Sequence, residues 1–203
     1  MFTGIVEHMG IVTEVIDAGT ARTVRIETPE IADTLGIGDS VAVNGVCLTV
    51  ERVDATGFEA TAVRETLDRT TLGSLAAGER VNLECAAGVD RLFGGHMVQG
   101  HVDGVGVVVS FEAADAGDRV LELELPEDVH DLCVDKGSVA VDGISLTVAK
   151  KLDRRRITIA IVPHTFANTT VAAYLPGHRV NIEGDVIARY VREYVRRYQA
   201  APR

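Results

Sequence analysis

Apolar and polar residues alternate in several short stretches of the chain. Val41 and Val43 lie in one such stretch, Leu48 and Val50 lie in the next, and residues 157–161 form another. A period of two with many β-branched residues is typical of strands that bury one face against a core. The pattern therefore predicts a protein built mainly of short β-strands.

The same pattern occurs twice along the chain. Residues 40–50 and residues 138–148 are nearly the same peptide, and four further pairs of segments match in the same order at separations of 96 to 99 residues. Such repetition indicates two copies of one domain. Each copy contains a dipeptide that tight hairpin turns prefer, Asn44-Gly45 or Asp142-Gly143. We expect a closed antiparallel barrel in each copy.

The predicted domains are residues 1–95 and residues 96–185, with the join within residues 87–95. Proline at positions 29 and 126 predicts a short helical turn at each. Apolar residues recur at spacings of three and four over residues 186–198, which predicts an amphipathic helix within a terminal segment, residues 186–203. Its apolar stripe could pack on its own barrel or drive self-association, and the sequence leaves both open.

Charge and composition exclude some classes of function. The 203 residues carry a formal net charge of −10, which disfavours binding to nucleic acid or to an anionic membrane surface. The Arg154-Arg155-Arg156 cluster is best interpreted as a solvated turn. No apolar run is long enough to cross a membrane, and residues 1–7 do not resemble a signal peptide. We therefore expect a cytoplasmic protein.

Neither disulfides nor a metal site are expected. Cys47, Cys85 and Cys133 are odd in number and show no C-x-x-C spacing, which favours reduced thiols. His96 and His101 are five residues apart, so on a strand they would face opposite sides. The familiar sequence patterns of hydrolases, metalloproteases and phosphate-binding loops are absent.

Some equivalent positions of the two copies differ in chemistry. The pairs are Asn44 with Asp142, Cys47 with Ser145, Gly38 with Lys136, and Ile5 with His101. Drift after duplication would explain these differences. Two similar pockets that hold similar molecules in different chemical roles would explain them equally well.

Four segments in a fixed order carry a specific similarity to known proteins. They are Met1-Phe2-Thr3-Gly4-Ile5-Val6, Asn44-Gly45-Val46-Cys47-Leu48-Thr49-Val50, Gly94-Gly95-His96 with Gly100-His101-Val102-Asp103-Gly104, and Asp142-Gly143-Ile144-Ser145-Leu146-Thr147-Val148. On a tandem duplication, these segments resemble the riboflavin synthase family over essentially the whole chain.

The resemblance implies an all-β fold of two tandem six-stranded Greek-key barrels and a C-terminal helix. It implies a homotrimer whose active site lies between the N-terminal barrel of one subunit and the C-terminal barrel of a neighbour. It leaves open whether the trimer associates with lumazine synthase.

The implied activity is that of a transferase without metal or organic cofactor. Two molecules of 6,7-dimethyl-8-ribityllumazine dismutate by transfer of a four-carbon unit. The products are riboflavin and 5-amino-6-(ribitylamino)pyrimidinedione.

The resemblance also implies site residues. The first pocket would be lined by Gly4, Ile5, Val6, Cys47, Leu48, Thr49, Thr61, Ala62, Val63, Arg64, Glu65, Thr66, Gly100, His101 and Val102. The second would be lined by Lys136, Ser145, Leu146, Thr147, Ile161, Val162, Pro163, His164 and Thr165, with no separate role for His164. Four further positions would lie near the reaction centre: Phe2, Ser40, His96 and Asp142.

Roles follow as hypotheses. His101 would move protons, because an imidazole takes up and releases a proton near neutral pH. Cys47, Ser40, or a water that they hold, would add to or protect C7 of the lumazine ring. Structural alternatives stay open, in which Cys47 is only a buried thiol or His96 only a hydrogen-bonded core residue.

The remaining candidate catalytic residues belong to the second copy. Ser145 and Thr147 would hydrogen-bond the ring system. Lys136 and Asp142 would position the ligand or stabilise developing charge. For Asp142, a purely structural role as the cap of its turn stays open.

Two competing functions share this fold. A non-catalytic antenna protein would bind a lumazine or flavin without converting it, and such relatives lose catalytic residues. The barrel module of a flavin oxidoreductase would need a nicotinamide-binding domain, and no βαβ glycine fingerprint follows the barrels.

Overall fold

The computed structural model describes residues 1–88, 93–114 and 117–200, and they form two closed antiparallel barrels with a helix at the end. Residues 89–92 of the predicted join lie outside the described residues. The first barrel contains β1 (His8–Asp17), β2 (Ala21–Glu27), β3 (Ser40–Val43), β4 (Val46–Asp54), β5 (Gly57–Val63) and β6 (Arg80–Cys85). The second contains β7 (Gly104–Ala113), β8 (Arg119–Glu124), β9 (Ser138–Val141), β10 (Ile144–Leu152), β11 (Arg156–Ile161) and β12 (Arg179–Gly184).

Both barrels have the same strand order. The first closes as β1-β2-β5-β4-β3-β6 and the second as β7-β8-β11-β10-β9-β12. In each, three consecutive hairpin-linked strands are followed around the barrel by the strand that precedes them in sequence, which is the Greek-key arrangement. The predicted pair of six-stranded Greek-key barrels is confirmed.

Each barrel has its own apolar core, as the alternating pattern predicts. Val24 and Ile26 of β2 are buried, while Thr23 before them and Arg25 between them are only partly covered. A third, smaller cluster brings Phe2 and Ala42 of the first copy against Val98 and Ala140 of the second. This cluster joins the two barrels.

The two predicted hairpin turns meet each other. Asn44 and Gly45 have φ angles of 44° and 76°, and Asp142 and Gly143 have φ angles of 43° and 78°. These positive values are those of a type I′ turn. A Cβ atom on Gly45 would lie 2.5 Å from the backbone nitrogen of Gly143, so glycine is required by the close approach of the two turns as well as by φ.

Short helices connect the strands. They are α1 (Pro29–Ala32), α2 (Arg64–Arg69), α3 (Glu127–His130) and α4 (Pro163–Asn168), with 3-10 turns at Thr71–Ser74 and Thr170–Ala173. The helical turns predicted at Pro29 and Pro126 are confirmed as α1 and α3. None of the described helices is long and apolar enough to span a membrane.

The C-terminal helix α5 (Val186–Ala200) presents its apolar stripe to solvent. The large side chains of this stripe are each more than half exposed: Ile187, Tyr190, Val191, Tyr194 and Tyr198. Its contacts with the second copy are made by other side chains, among them Val186 and the partly buried Arg189. Packing on its own barrel therefore leaves most of the predicted stripe uncovered.

The leading segment of each copy crosses to the other barrel. Phe2 and Val98 form a reciprocal pair of backbone hydrogen bonds of 2.7 and 3.1 Å. Beyond this pair, the Gly4 carbonyl accepts a 2.7 Å hydrogen bond from the Ser145 amide. The Gly100 carbonyl accepts the equivalent bond of 3.0 Å from Cys47. Each barrel is thus completed by the segment that precedes the other one.

Candidate ligand-binding site

The first predicted pocket lies where β4 begins, under the leading segment of the second copy. Cys47 is partly buried, and a Cβ atom on Gly100 would lie 2.5 Å from its Cβ atom. Val102 packs against the core of the first barrel, whereas His101 is exposed. The structure therefore brings residues 100–102 together with Cys47, as the sequence predicts.

The other residues predicted for this pocket lie on β4, β5 and α2. Val50 pairs with Ala60, so Thr49 and Thr61 follow at the same end of neighbouring strands. Thr61 Oγ1 lies 2.8 Å from Thr23 Oγ1 and donates to Glu51 Oε2 at 2.8 Å. Leu48 and Ala62 are buried, whereas Val63, Arg64 and Glu65 are exposed and Thr66 is partly buried.

The second predicted pocket is built in the same way around Ser145 of β10. The side chain of Ser145 forms a 2.7 Å hydrogen bond between its Oγ and Nδ1 of His96. Burial lowers the pKa of His96, so its imidazole is neutral near pH 7 and can accept the serine proton. Its other nitrogen, Nε2, is buried and has no hydrogen-bond partner among the described residues. The pair can polarise the Ser145 hydroxyl.

One predicted grouping is wrong. The family resemblance places Gly4, Ile5 and Val6 in the first pocket, but a Cβ atom on Gly4 would lie 2.6 Å from the Cβ atom of Ser145, and Val6 packs against the second core. The reason is the crossing of the leading segments. Residues 4–6 belong to the second pocket, in the position that residues 100–102 occupy in the first.

Two buried glutamates that the sequence reasoning missed hold the crossing segments. Glu84 accepts hydrogen bonds from Thr3 N, Thr3 Oγ1 and Gly4 N at 2.7, 2.8 and 2.9 Å. Glu183 accepts from the amides of Gln99, Gly100 and His101 at 2.8, 2.9 and 3.0 Å. Burial raises the pKa of both carboxyls, and the donated hydrogen bonds oppose that shift. The repeated Arg-Val-Asn-x-Glu sequence in β6 and β12 was the available signal.

The exposed residues of both pockets face solvent in the single chain. Thr49 and His101 in the first pocket, and Lys136 and Thr147 in the second, are all exposed. The segment Ile161 to Thr165 leaves the buried end of β11 and enters α4, where Val162, Pro163 and His164 are exposed and Thr165 is partly buried. Each predicted pocket is therefore open to solvent in the single chain.

Known proteins of similar sequence show the family to which the chain belongs. The model of the lumazine binding domain matches residues 3–86 and again residues 99–185. The riboflavin synthase of Mycobacterium tuberculosis (strain ATCC 25618 / H37Rv) is 44% identical over 199 residues, which are 97% of this chain and 98% of that protein. The riboflavin synthase of Bacillus subtilis (strain 168) is 37% identical over 195 residues, covering 96% and 90%. The chain belongs to the riboflavin synthase family.

A solved structure gives the same picture of the fold. LumP complexed with 6,7-dimethyl-8-(1'-D-ribityl) lumazine superposes with a TM-score of 0.81 at 24% identity, covering 90% of this chain and 98% of LumP. At this identity the likeness concerns the fold. This member of the riboflavin synthase family thus has the same tandem-barrel fold as LumP.

Lys136 occupies a left-handed backbone position at the edge of the second pocket, with φ of 65°. Its amide donates to the Val148 carbonyl at 2.8 Å, as Gly38 donates to Val50 at 2.9 Å in the first copy. Ser40 is partly buried and pairs with Thr49 across β3 and β4. The two copies therefore keep the same loop geometry, and only the second adds a cationic side chain.

Asp142 lies in the seam between the barrels rather than among the exposed pocket side chains. Its carboxylate is buried and accepts hydrogen bonds from Tyr174 Oη at 2.6 Å and from the Asn181 amide at 2.7 Å. It lines a cavity of about 660 Å³ in that seam, together with Asn44 and His178. Because Tyr174 and Asn181 already occupy both carboxylate oxygens, the contacts of Asp142 are those of a structural residue. Its predicted role in placing the ligand stays a prediction.

The protonation of Asp142 should make stability depend on pH. Burial raises the pKa of Asp142 from its usual 3.8 to about 7. The folded state therefore holds the proton more tightly, and this stabilisation is complete below about pH 4 and is lost as the pH rises towards 7. We expect the free energy of unfolding, relative to Asp142→Asn, to fall by roughly 2–4 kcal/mol over that range.

Urea unfolding of both proteins at several pH values measures this difference. The exposed Asp153 provides the control, since Asp153→Asn keeps Asp142 and should keep the fall in stability that the wild type shows. A wild-type curve parallel to that of Asp142→Asn would show that folding does not change the pKa of Asp142.

Proposed function

We propose that the protein catalyses the dismutation of two molecules of 6,7-dimethyl-8-ribityllumazine into riboflavin and 5-amino-6-(ribitylamino)pyrimidinedione. The observation that carries the proposal is the reciprocal construction of two half-sites in a riboflavin synthase family chain. Cys47 lies under residues 100–102, and Ser145 lies under residues 4–6. Two similar pockets with different chemical groups suit one substrate that acts once as donor and once as acceptor of four carbons.

The main catalytic effect would be positioning. The 7-methyl group of a lumazine is acidic because the carbanion delocalises into the ring. Two such molecules held face to face then react as in an intramolecular step. No residue needs to supply a cofactor function in this scheme.

The half-sites would divide the remaining work. In the first, His101 would move protons and Cys47 would act on C7 of the ring, with Ser40 close to it. In the second, Ser145 and Thr147 would hydrogen-bond the ring, with the neutral His96 accepting the Ser145 proton.

The open half-sites support an active site shared between subunits. We propose a homotrimer assembled in part through the exposed apolar stripe of α5, which brings the first pocket of one chain to the second pocket of a neighbour. The three described cysteines are free thiols, which fits the cytoplasmic location that we propose. Association with lumazine synthase stays a prediction from family resemblance.

Turnover by two site variants tests the proposed roles. We expect Cys47→Ala and His101→Gln each to lower the rate of riboflavin formation by about 10- to 100-fold, while the fold is kept because His101 is exposed and Cys47 only partly buried. Initial rates at saturating lumazine measure the effect. Thr13→Ala, on the exposed outside of β1, is the matched control. An unchanged rate removes the substituted residue from the mechanism.

A non-catalytic antenna function is the second candidate, because LumP shares the fold. It predicts tight binding of the lumazine without product. Retention of Cys47, His101, Lys136, Ser145 and Thr147 in this chain favours the enzyme.

A further inference from the structure

Two side chains hold the segment that carries His101. The buried Glu183 accepts hydrogen bonds from the amides of Gln99, Gly100 and His101. Arg189 of helix α5 donates hydrogen bonds to residues 99, 101 and 103 of the same segment. These contacts fix the backbone of His101 while its side chain stays exposed.

Arg189 makes three distinct contacts with this segment. Its Nη2 forms an ion pair with Asp103 Oδ2 at 2.9 Å and donates to the His101 carbonyl at 3.4 Å. Its Nη1 donates to Gln99 Oε1 at 3.4 Å. The guanidinium fork thus spans the segment from residue 99 to residue 103, which a single-point cation could not do.

Asp103 in turn is fixed to the barrel. The oxygen that binds Arg189 also accepts the Gly184 amide at 2.9 Å, at the end of β12. Asp185, the next residue, accepts the Ile187 amide at 2.8 Å within the first turn of α5. Helix, strand end and segment are therefore connected through a short chain of charged hydrogen bonds.

The equivalent segment of the first copy provides a comparison within one molecule. Thr3 and Gly4 are clamped by Glu84 just as residues 99–101 are clamped by Glu183. In the described residues that follow β6, no helix equivalent to α5 reaches back to Thr3. Among the residues that the structure describes, only the segment with His101 has this second set of contacts.

We propose that Arg189 is a positioning residue for catalysis, which holds the His101 backbone in the first pocket by joining helix α5 to residues 99–103. The expected effect on kcat rests on the proposed function. The expected effect on the backbone of residues 99–101 rests on the contacts alone. The proposal also links the C-terminal helix to the chemistry, because displacement of α5 would release His101.

Amide hydrogen exchange and steady-state kinetics of Arg189→Ala test the proposal together. We expect exchange at Gln99, Gly100 and His101 to become at least tenfold faster, while exchange at Thr3 and Gly4 stays unchanged. We expect kcat to fall by about 10- to 100-fold with a smaller change in KM, because a misplaced group impairs the reaction more than binding. All variants are measured at a concentration at which light scattering gives them the same molar mass in solution as the wild type.

Arg192→Ala is the matched control. Arg192 lies one turn further along α5 and donates to the Asp128 carbonyl at 2.5 Å, away from residues 99–103. It should leave both readouts at wild-type values. If Arg189→Ala does not fold, Arg189→Lys keeps the charge but loses the fork, and the same two readouts apply to it.

Wild-type exchange at residues 99–101 in the Arg189 variant would overturn the proposal. Faster exchange without a fall in kcat would overturn it as well, since Arg189 would then serve stability alone. Absence of turnover in the wild type would instead contradict the proposed function, and the exchange measurement would still decide whether Arg189 holds the segment.

Discussion

Gly100→Ala is expected to lower riboflavin formation by about 100-fold. Gly100 has φ of 78°, and an added Cβ atom would lie 2.5 Å from Cys47 Cβ and 2.7 Å from the Cys47 backbone nitrogen. These are rigid parts of β4, so the crossing segment must lift away from the first barrel. His101 and Val102 then leave their positions in the first pocket.

The control separates this displacement from backbone strain. Gly19 has a similar φ of 71°, but an added Cβ atom there meets nothing within 4 Å. Gly19→Ala should therefore cost only about 1 kcal/mol of stability, with normal turnover. Initial rates and thermal unfolding of both variants measure the two effects. Equal turnover by Gly100→Ala and Gly19→Ala would mean that the crossing segment does not shape the site.

Asn181→Ala is expected to destabilise the protein by about 2–5 kcal/mol. Asn181 is 1% exposed and joins the two barrels. Its Oδ1 accepts the Thr71 amide at 2.7 Å, and its Nδ2 donates to the Asn44 carbonyl at 2.8 Å. Without the Asn181 side chain, the Thr71 amide and the Asn44 carbonyl of the first barrel lose this hydrogen-bond partner between the two barrels.

The first copy makes the equivalent contact with the second barrel. Asn82 accepts the Thr170 amide at 2.8 Å and donates to the Asp142 carbonyl at 2.9 Å, so Asn82→Ala should cost a similar amount. Asn168→Ala is the control, because Asn168 is exposed and its side chain donates to the His164 carbonyl within its own helix. Urea unfolding measures all three. A loss below about 1 kcal/mol for Asn181→Ala would show that the seam does not depend on these amides.

Much of the fold could be predicted from the sequence because its signals are local. Alternation along β2 and β11 follows from one buried face, and Asn44-Gly45 is selected by the positive φ of a type I′ turn. The duplication then transfers every element of one copy to the other. The spacing of its apolar residues was enough to predict helix α5. The exposure of its apolar stripe is known only from the structure.

The crossing of the leading segments could not be predicted in this way. Gly4 and Gly100 are equivalent in the repeat. The repeated sequence is compatible with each segment packing on its own barrel and equally with each segment packing on the other barrel. This is why residues 4–6 were assigned to the wrong pocket. The choice depends on tertiary contacts such as those of Gly4 with Ser145, which have no signature in the local pattern.

The buried polar residues were missed for a related reason. Glu84 and Glu183 lie in the largely buried strands β6 and β12, where a carboxylate is costly unless it is hydrogen-bonded. Its presence in both copies was a signal of a structural partner. The identity of that partner, the backbone amides of the crossing segments, required the structure.

The central claim is tested most directly by incubating the purified protein with 6,7-dimethyl-8-ribityllumazine as the sole substrate and identifying the products by chromatography. The account predicts one riboflavin and one 5-amino-6-(ribitylamino)pyrimidinedione for every two lumazines consumed, with no other carbon donor. Tight binding of the lumazine without any riboflavin would contradict it, and would mean that the two pockets hold the ligand but do not convert it.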